Sequence, residues 1–80
     1  MSTIESGARV VDVRSVPPAV RHQAIFRIFG DLEPGQGFDI VNDYDPAPLH
    51  RQFVSLYGDG FDWDYLRRGP DIWHVRITRG

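Results

Sequence analysis

The sequence predicts an α+β two-layer sandwich in which two helices cover one face of a mixed four-stranded sheet. Three observations lead to this prediction. Four short segments have the apolar or alternating pattern of strands, two others have the apolar spacing of helices, and Pro- or Gly-containing breaks separate them. The order along the chain is β-α-β-α-β-β, and 80 residues leave room for a single core.

The first strand lies within Arg9–Arg14, where Val10, Val11 and Val13 form a β-branched run. Pro17-Pro18 interrupts it, and proline is tolerated in the first turn of a helix. We therefore predict a helix from Pro18 to Leu32. Its buried stripe follows from helical spacing and comprises His22, Ile25, Phe26, Phe29 and Leu32. Residues 1–8 are predicted to be a flexible tail, and residues 9–80 a single domain.

The second strand is Gly37–Asn42, and the second helix is predicted to follow at Asp45-Pro46. Asp45 is the expected N-cap of this helix and Pro46 its first residue. The helix should run for about 12 residues, a typical length. Its apolar stripe is predicted to be Leu49, Phe53 and Leu56, with Gly58 as a left-handed C-cap.

The last two strands show period-two alternation. In the third, Phe61, Trp63 and Tyr65 alternate with Asp62, Asp64 and Leu66. In the fourth, within Ile72–Thr78, Trp73, Val75 and Ile77 share one face, whereas His74 and Arg76 share the other, outer face. Two helices cover one face of the sheet, so any of these aromatic side chains on the other face would form an interaction patch or dimer surface.

The composition excludes several kinds of chemistry. Nine Lys+Arg against eleven Asp+Glu give a net charge of −2, and the chain contains no cysteine. Without lysine or cysteine there is no Schiff base, P-loop lysine, thiol nucleophile, disulfide or cysteine-held metal. Arginines account for all nine basic residues: Arg9, Arg14, Arg21, Arg27, Arg51, Arg67, Arg68, Arg76 and Arg79.

Charge and hydropathy also bound the partners. The arginines are interleaved with aspartates rather than clustered, which is unlike a nucleic-acid-binding surface. No apolar run approaches the ~20 residues of a membrane span, and the first eight residues do not resemble a signal peptide. We expect a soluble cytoplasmic protein, monomeric or weakly dimeric, that binds neither nucleic acid nor membrane.

A binding site is predicted where the two helices begin. Right-handed crossovers bring both helix N-termini to one edge of the sheet, the edge at which open α/β sheets bind ligands. We call it the helix N-terminal edge. Donors and carboxylates gather there, and the leading hypothesis is a non-enzymatic accessory domain that docks a protein partner or a small anionic ligand. The candidate binding residues are Arg14, Arg21, His22, Asp43, Asp45 and His50.

Two other hypotheses use the same residues. His22 and His50 could ligate a metal ion or haem in a redox accessory domain, although their spacing matches no metal motif and no cofactor is predicted in the leading hypothesis. His22 with Asp43 could perform acid–base catalysis, but no nucleophile motif accompanies them. Structural roles are also expected, with His22 packed in the core and Asp45 capping a helix.

Several segments together resemble domain-of-unknown-function family 2249, over about residues 9–79. The most specific is Asn42-Asp43-Tyr44-Asp45-Pro46-Ala47-Pro48-Leu49, in which Tyr44 replaces the family's usual histidine. Members of this family are often joined to hemerythrin-like metal-binding domains, and their own activity is not established. The resemblance implies the fold and the location of the site. The other segments are Val11-Asp12-Val13-Arg14, Arg21-His22, Glu33-Pro34-Gly35 and Gly69-Pro70-Asp71-Ile72-Trp73.

The chain is also similar, more distantly, to the TusA (SirA-like) sulfur-carrier family, which shares the order β-α-β-α-β-β. In that family a Cys-Pro pair opens the first helix, and the cysteine carries the persulfide. Counted from Asp12, the matching position in this chain is Pro18. Sulfur transfer by that mechanism is therefore excluded.

Overall fold

The computed structural model describes residues 9–80, so the predicted tail lies outside the described residues. The order β-α-β-α-β-β is confirmed, and a 3-10 turn at Val13–Ser15 follows the first strand. The elements are β1 (Arg9–Asp12), α1 (Pro18–Gly30), β2 (Gly37–Asn42), α2 (Ala47–Tyr57), β3 (Phe61–Arg68) and β4 (Trp73–Arg79).

The four strands form one mixed sheet in the order β1-β2-β4-β3. β1 runs parallel to β2, whereas β4 is antiparallel to both β2 and β3. The last strand in sequence is thus inserted between the second and third. This places Ile40 opposite Val75 on one face of the sheet and Asp39 opposite Arg76 on the other.

The core lies between the helices and one face of the sheet. Phe53 of α2 is at its centre, stacked on Phe26 of α1 at 4.5 Å between ring centroids and 5.3 Å from Phe61 of β3. Aromatic contacts thus join both helices to the sheet, as the predicted sandwich requires. The buried apolar residues are Val13, Ile25, Phe29, Phe38, Ile40, Leu49, Phe53, Phe61, Val75 and Ile77.

The prediction for α1 was wrong in two respects. The helix ends at Gly30 rather than Leu32, and its buried polar residue is Arg21 rather than His22. Arg21 is 3% exposed, whereas His22 is half-buried. An arginine can be buried here because neighbouring acceptors satisfy its guanidinium group, as described below.

The other element boundaries differ slightly. β1 ends at Asp12, and Val13 reaches the core from the 3-10 turn. α2 begins at Ala47 with Pro46 at the N-cap position, one residue later than predicted. Gly58 caps its C-terminus with a positive φ of 59°, but its ψ of −117° is not left-handed helical.

Leu56 was predicted in the buried stripe of α2 but is 66% exposed. It lies on the outer side of the two helices, where a two-layer fold has no third layer to cover it. Its stripe partners Leu49 and Phe53 are buried as predicted.

The aromatic residues of β3 and β4 do not form a patch on the uncovered sheet face. Trp63 and Tyr65 are half-buried and pack against the core, and their neighbours on β4 are Ile77 and Val75. The uncovered face instead carries His74 and Arg76, as the alternation predicted. Within residues 9–80, no helix is long and apolar enough to cross a membrane.

Candidate functional site

Arg21 is the centre of the helix N-terminal edge. Its side chain enters from the first turn of α1 and donates to the backbone oxygen of Val16 from both Nε, at 3.1 Å, and Nη2, at 2.9 Å. Nη1 donates to Oδ1 of Asn42 at 2.9 Å and to Oδ1 of Asp43 at 3.1 Å. Nη2 also donates to the backbone oxygen of Arg14 at 3.4 Å.

These five contacts engage all five N–H groups of the guanidinium. They tie α1 to the turn after β1 and to the end of β2. Asn42 is itself 3% exposed, so one of the acceptors is buried together with the donor. The charge of Arg21 is balanced by Asp43, whose side chain is 51% exposed.

Arg14 lies at the same edge and pairs with Asp12. Nη2 of Arg14 is 2.6 Å from Oδ2 of Asp12, and the backbone N–H of Arg14 donates to Oδ1. The side-chain hydrogen bond, followed by the backbone one, lowers the pKa of Asp12 to about 2. Both arginines at the edge are therefore already paired with aspartates.

The loop between β2 and α2 carries the candidate Asp45 and, next to it, Tyr44. Asp45 accepts from the backbone N–H of Ala47, the first residue of α2, at 3.1 Å. It does so from one residue before the N-cap position, which Pro46 occupies, and not as the predicted N-cap itself. It also accepts from the hydroxyl of Tyr65 at 3.4 Å. Tyr44 is 40% exposed, with the Arg21 guanidinium carbon 5.4 Å from its ring centroid.

Prolines reduce the anion-binding capacity of both helix starts. α1 begins with Pro18 after Pro17, and neither residue has an N–H group. In α2 the N–H of Ala47 is taken by Asp45, and the next residue is Pro48. The backbone donors on which anion sites at helix N-termini depend are therefore few.

The two histidines do not join the edge, and they do not converge. Nδ1 of His22 is 2.9 Å from Oε1 of Gln52, on the outer side of α2. His50 stacks on Trp63 of β3 with 4.6 Å between ring centroids. Residues 50 and 52 are separated by about 200° around a helix, so the imidazoles lie on opposite flanks of α2.

This placement bears on the metal and catalytic hypotheses. Among residues 9–80, no group of three or more His, Cys, Asp or Glu residues could hold a metal ion. His22 and Asp43 have separate hydrogen-bond partners, Gln52 and Arg21. Hydrogen bonds of Arg21 thus join Arg14, Arg21 and Asp43. Asp45 instead contacts Ala47 and Tyr65, His22 contacts Gln52, and His50 stacks on Trp63.

A second polar cluster, absent from the predicted site, lies on the uncovered face of the sheet. Oδ2 of Asp39 is 2.8 Å from Nε2 of His74, and Oδ1 accepts from Nε of Arg76 at 2.8 Å. We call these three residues the open-face network. The side chain of Asp39 is 4% exposed, and those of His74 and Arg76 are 29% and 45% exposed.

Burial works to raise the pKa of Asp39, but the hydrogen bonds from Arg76 and His74 outweigh it, and the pKa lies below its ordinary value. The alternation along β2 and β4 sets Asp39, His74 and Arg76 apart from the core-facing residues of their strands. Their contact follows only once the two strands are known to be neighbours.

Comparison with known proteins places the chain in a family. The model of DUF2249, described as an uncharacterized conserved protein, matches residues 10–79. No curated protein and no solved structure matches the chain. The segments on which the resemblance to this family was based, from Val11 to Trp73, lie within the matched region. The chain therefore belongs to the DUF2249 family of uncharacterised conserved proteins.

Proposed function

We propose that this protein is a non-enzymatic binding domain that docks a protein partner at the helix N-terminal edge. The observation that carries the proposal is the set of five hydrogen bonds donated by the Arg21 guanidinium, which we call the Arg21 clamp. It holds the end of β2 and Asp43 in place, while Tyr44 beside them is 40% exposed. An exposed tyrosine next to a rigid anchor fits the pattern of an interface hot spot, because little conformational entropy is lost on binding.

The charges at this edge favour a basic protein surface over a small anionic ligand. Arg14 and Arg21 are both paired with aspartates, and the prolines leave few backbone donors. The carboxylates of Asp12 and Asp43 are about half exposed. A partner with arginine or lysine opposite these carboxylates, and a flat side chain against Tyr44, would complement the edge.

The test is an NMR titration of ¹⁵N-labelled protein with three probes: inorganic phosphate, acetate and a short peptide containing arginine and tyrosine. We expect the peptide to shift the amide signals of residues 12–16 and 43–45. Tyr44→Ala should weaken this binding by about tenfold, the effect of losing a modest hot spot. Tyr44→Phe, which keeps the ring, should retain most of the affinity.

A matched control is Val54→Ala, which removes a 50% exposed apolar side chain from the C-terminal half of α2, away from the edge. It should leave peptide affinity unchanged. Shifts at the edge with phosphate or acetate but not with the peptide would assign a small anionic ligand instead. If none of the probes shifts residues 12–16 or 43–45, docking at this edge is wrong.

A further inference from the structure

A groove runs between the outer sides of α1 and α2, away from the helix N-terminal edge. Its volume is about 350 Å³, at the lower end of the range for ligand sites. Phe26 lies half-buried in it, stacked on Phe53, and Leu56 is 66% exposed at its side. Its lining is mostly apolar and comprises His22, Gln23, Phe26, Gln52, Ser55 and Leu56.

The helices that form this groove contain no acidic residue, although the chain as a whole is acidic. The segments PAVRHQAIFRIFG and APLHRQFVSLY have three arginines and two histidines but no Asp or Glu. All eleven acidic residues of the chain lie outside these two helices. The helical layer therefore has a charge opposite to that of the whole protein.

Helical spacing places two arginines beside residues that line the groove. Arg27 follows Phe26 and lies one turn after Gln23, and it lines an adjacent depression that shares Gln23. Arg51 precedes Gln52 and lies one turn before Ser55. Within residues 9–80 neither arginine has an ion-pair partner, in contrast to Arg21.

We propose that this groove binds an acidic amphipathic helix of a partner protein. A third helix fits the space between two packed helices, and a large apolar residue on it would cover Phe26 and Leu56. Glutamates or aspartates on its flanks would face Arg27 and Arg51. This surface is separate from the helix N-terminal edge. It selects an acidic partner, whereas the edge is proposed to bind a basic one.

The charge pattern argues for an acidic helix in particular. A basic partner would meet the unpaired Arg27 and Arg51, and a purely apolar helix would leave both arginines without a counter-charge. Apolar contact supplies the affinity, and the flanking carboxylates supply the selectivity.

The test uses synthetic helical peptides with leucine, phenylalanine or tryptophan at the anchor position and glutamates on both flanks. Binding to ¹⁵N-labelled protein is followed by NMR and by calorimetry. We expect amide shifts along residues 22–27 and 51–56. Replacing the glutamates of the peptide by glutamine should weaken binding about tenfold, and added salt should weaken the glutamate peptide more than the glutamine peptide.

Protein variants provide the matched comparison. Leu56→Glu should weaken binding by at least about tenfold without unfolding the domain, because this side chain is exposed. Leu66→Glu, which changes an exposed leucine on β3, should have no effect. Arg27→Gln together with Arg51→Gln should remove the preference for glutamate peptides, whereas Arg67→Gln on β3 should not.

Three results would overturn the proposal. The first is the absence of shifts along the groove with every peptide at millimolar concentration. The second is binding to vesicles of phosphatidylglycerol and phosphatidylcholine that Leu56→Glu abolishes while the peptides do not bind, since this would assign a membrane surface. The third is a concentration-dependent dimer that Leu56→Glu dissociates, since this would assign a second copy of the chain.

Discussion

Replacing Arg21 by methionine should destabilise the domain more than any other arginine-to-methionine change in α1. The substitution keeps an apolar stem but removes five donated hydrogen bonds. Oδ1 of the buried Asn42 and the backbone oxygen of Val16 lose their donors. Asp43 is half exposed and water can solvate its carboxylate, so the loss of its ion pair with Arg21 costs less.

The size of the effect follows from these acceptors. A buried group left without its partner costs about 1–3 kcal/mol, and two such groups, partly relieved by the apolar methionine, give about 2–4 kcal/mol. A domain of 80 residues has a total stability of about 4–12 kcal/mol. The melting temperature should therefore fall by roughly 10–30 °C.

The assay is urea unfolding followed by the fluorescence of Trp63 and Trp73. Arg27→Met, on an exposed position of the same helix, is the control and should change the free energy of unfolding by less than about 0.5 kcal/mol. Arg21→Lys keeps the charge but not the five-donor fork, so it should lose about half of the stability that methionine loses. Equal stabilities for Arg21→Met and Arg27→Met would refute the clamp.

Two further predictions concern the rest of the molecule. Asp39→Asn should lower stability at neutral pH by about 1–3 kcal/mol, because the buried carboxylate of the open-face network accepts from two partners. The pKa of Asp39 is lowered in the folded protein. The ionised carboxylate therefore adds to the free energy of unfolding above the ordinary aspartate pKa of about 3.9, and this stabilisation is lost as the pH falls through the folded pKa. Urea unfolding at several pH values should show the difference between wild type and Asp39→Asn shrinking in acid, whereas Asp62→Asn, an exposed change, should show no such trend. Gly69→Ala should destabilise by about 1–3 kcal/mol in thermal unfolding, because Gly69 has a φ of +67° and a Cβ there would lie 2.8 Å from the ring of Trp73. Gly30→Ala meets no atom within 4 Å and should be neutral or stabilising, so equal effects of the two changes would contradict the steric argument.

Local patterns were sufficient for the elements of this fold. The valine run of β1, the helical spacing of Ile25 and Phe29, and the alternation of β3 and β4 are each read within about ten residues. Side chains return to the same face every 3.6 residues in a helix and every two residues in a strand. Local spacing was therefore enough to predict most helix and strand ends to within one or two residues.

The burial of Arg21 could not be predicted in this way. Helical spacing allows two overlapping stripes in α1, one containing Arg21 and the other His22, and both include Ile25 and Phe29. Hydropathy favours the histidine. The structure favours the arginine because acceptors from Arg14, Val16, Asn42 and Asp43 converge on it, and two separate segments, the turn after β1 and the end of β2, supply them.

The sequence by itself determined the fold class, the six elements, and the absence of lysine and cysteine chemistry. It also predicted that Arg14, Arg21 and Asp43 lie near one another, and hydrogen bonds of Arg21 join these three residues. Only the tertiary structure decided that β4 lies between β2 and β3, which joins Asp39 to residues more than thirty positions away. It also separated His22 from His50 across α2. Contacts between distant segments depend on how the elements pack, and no local period encodes that packing.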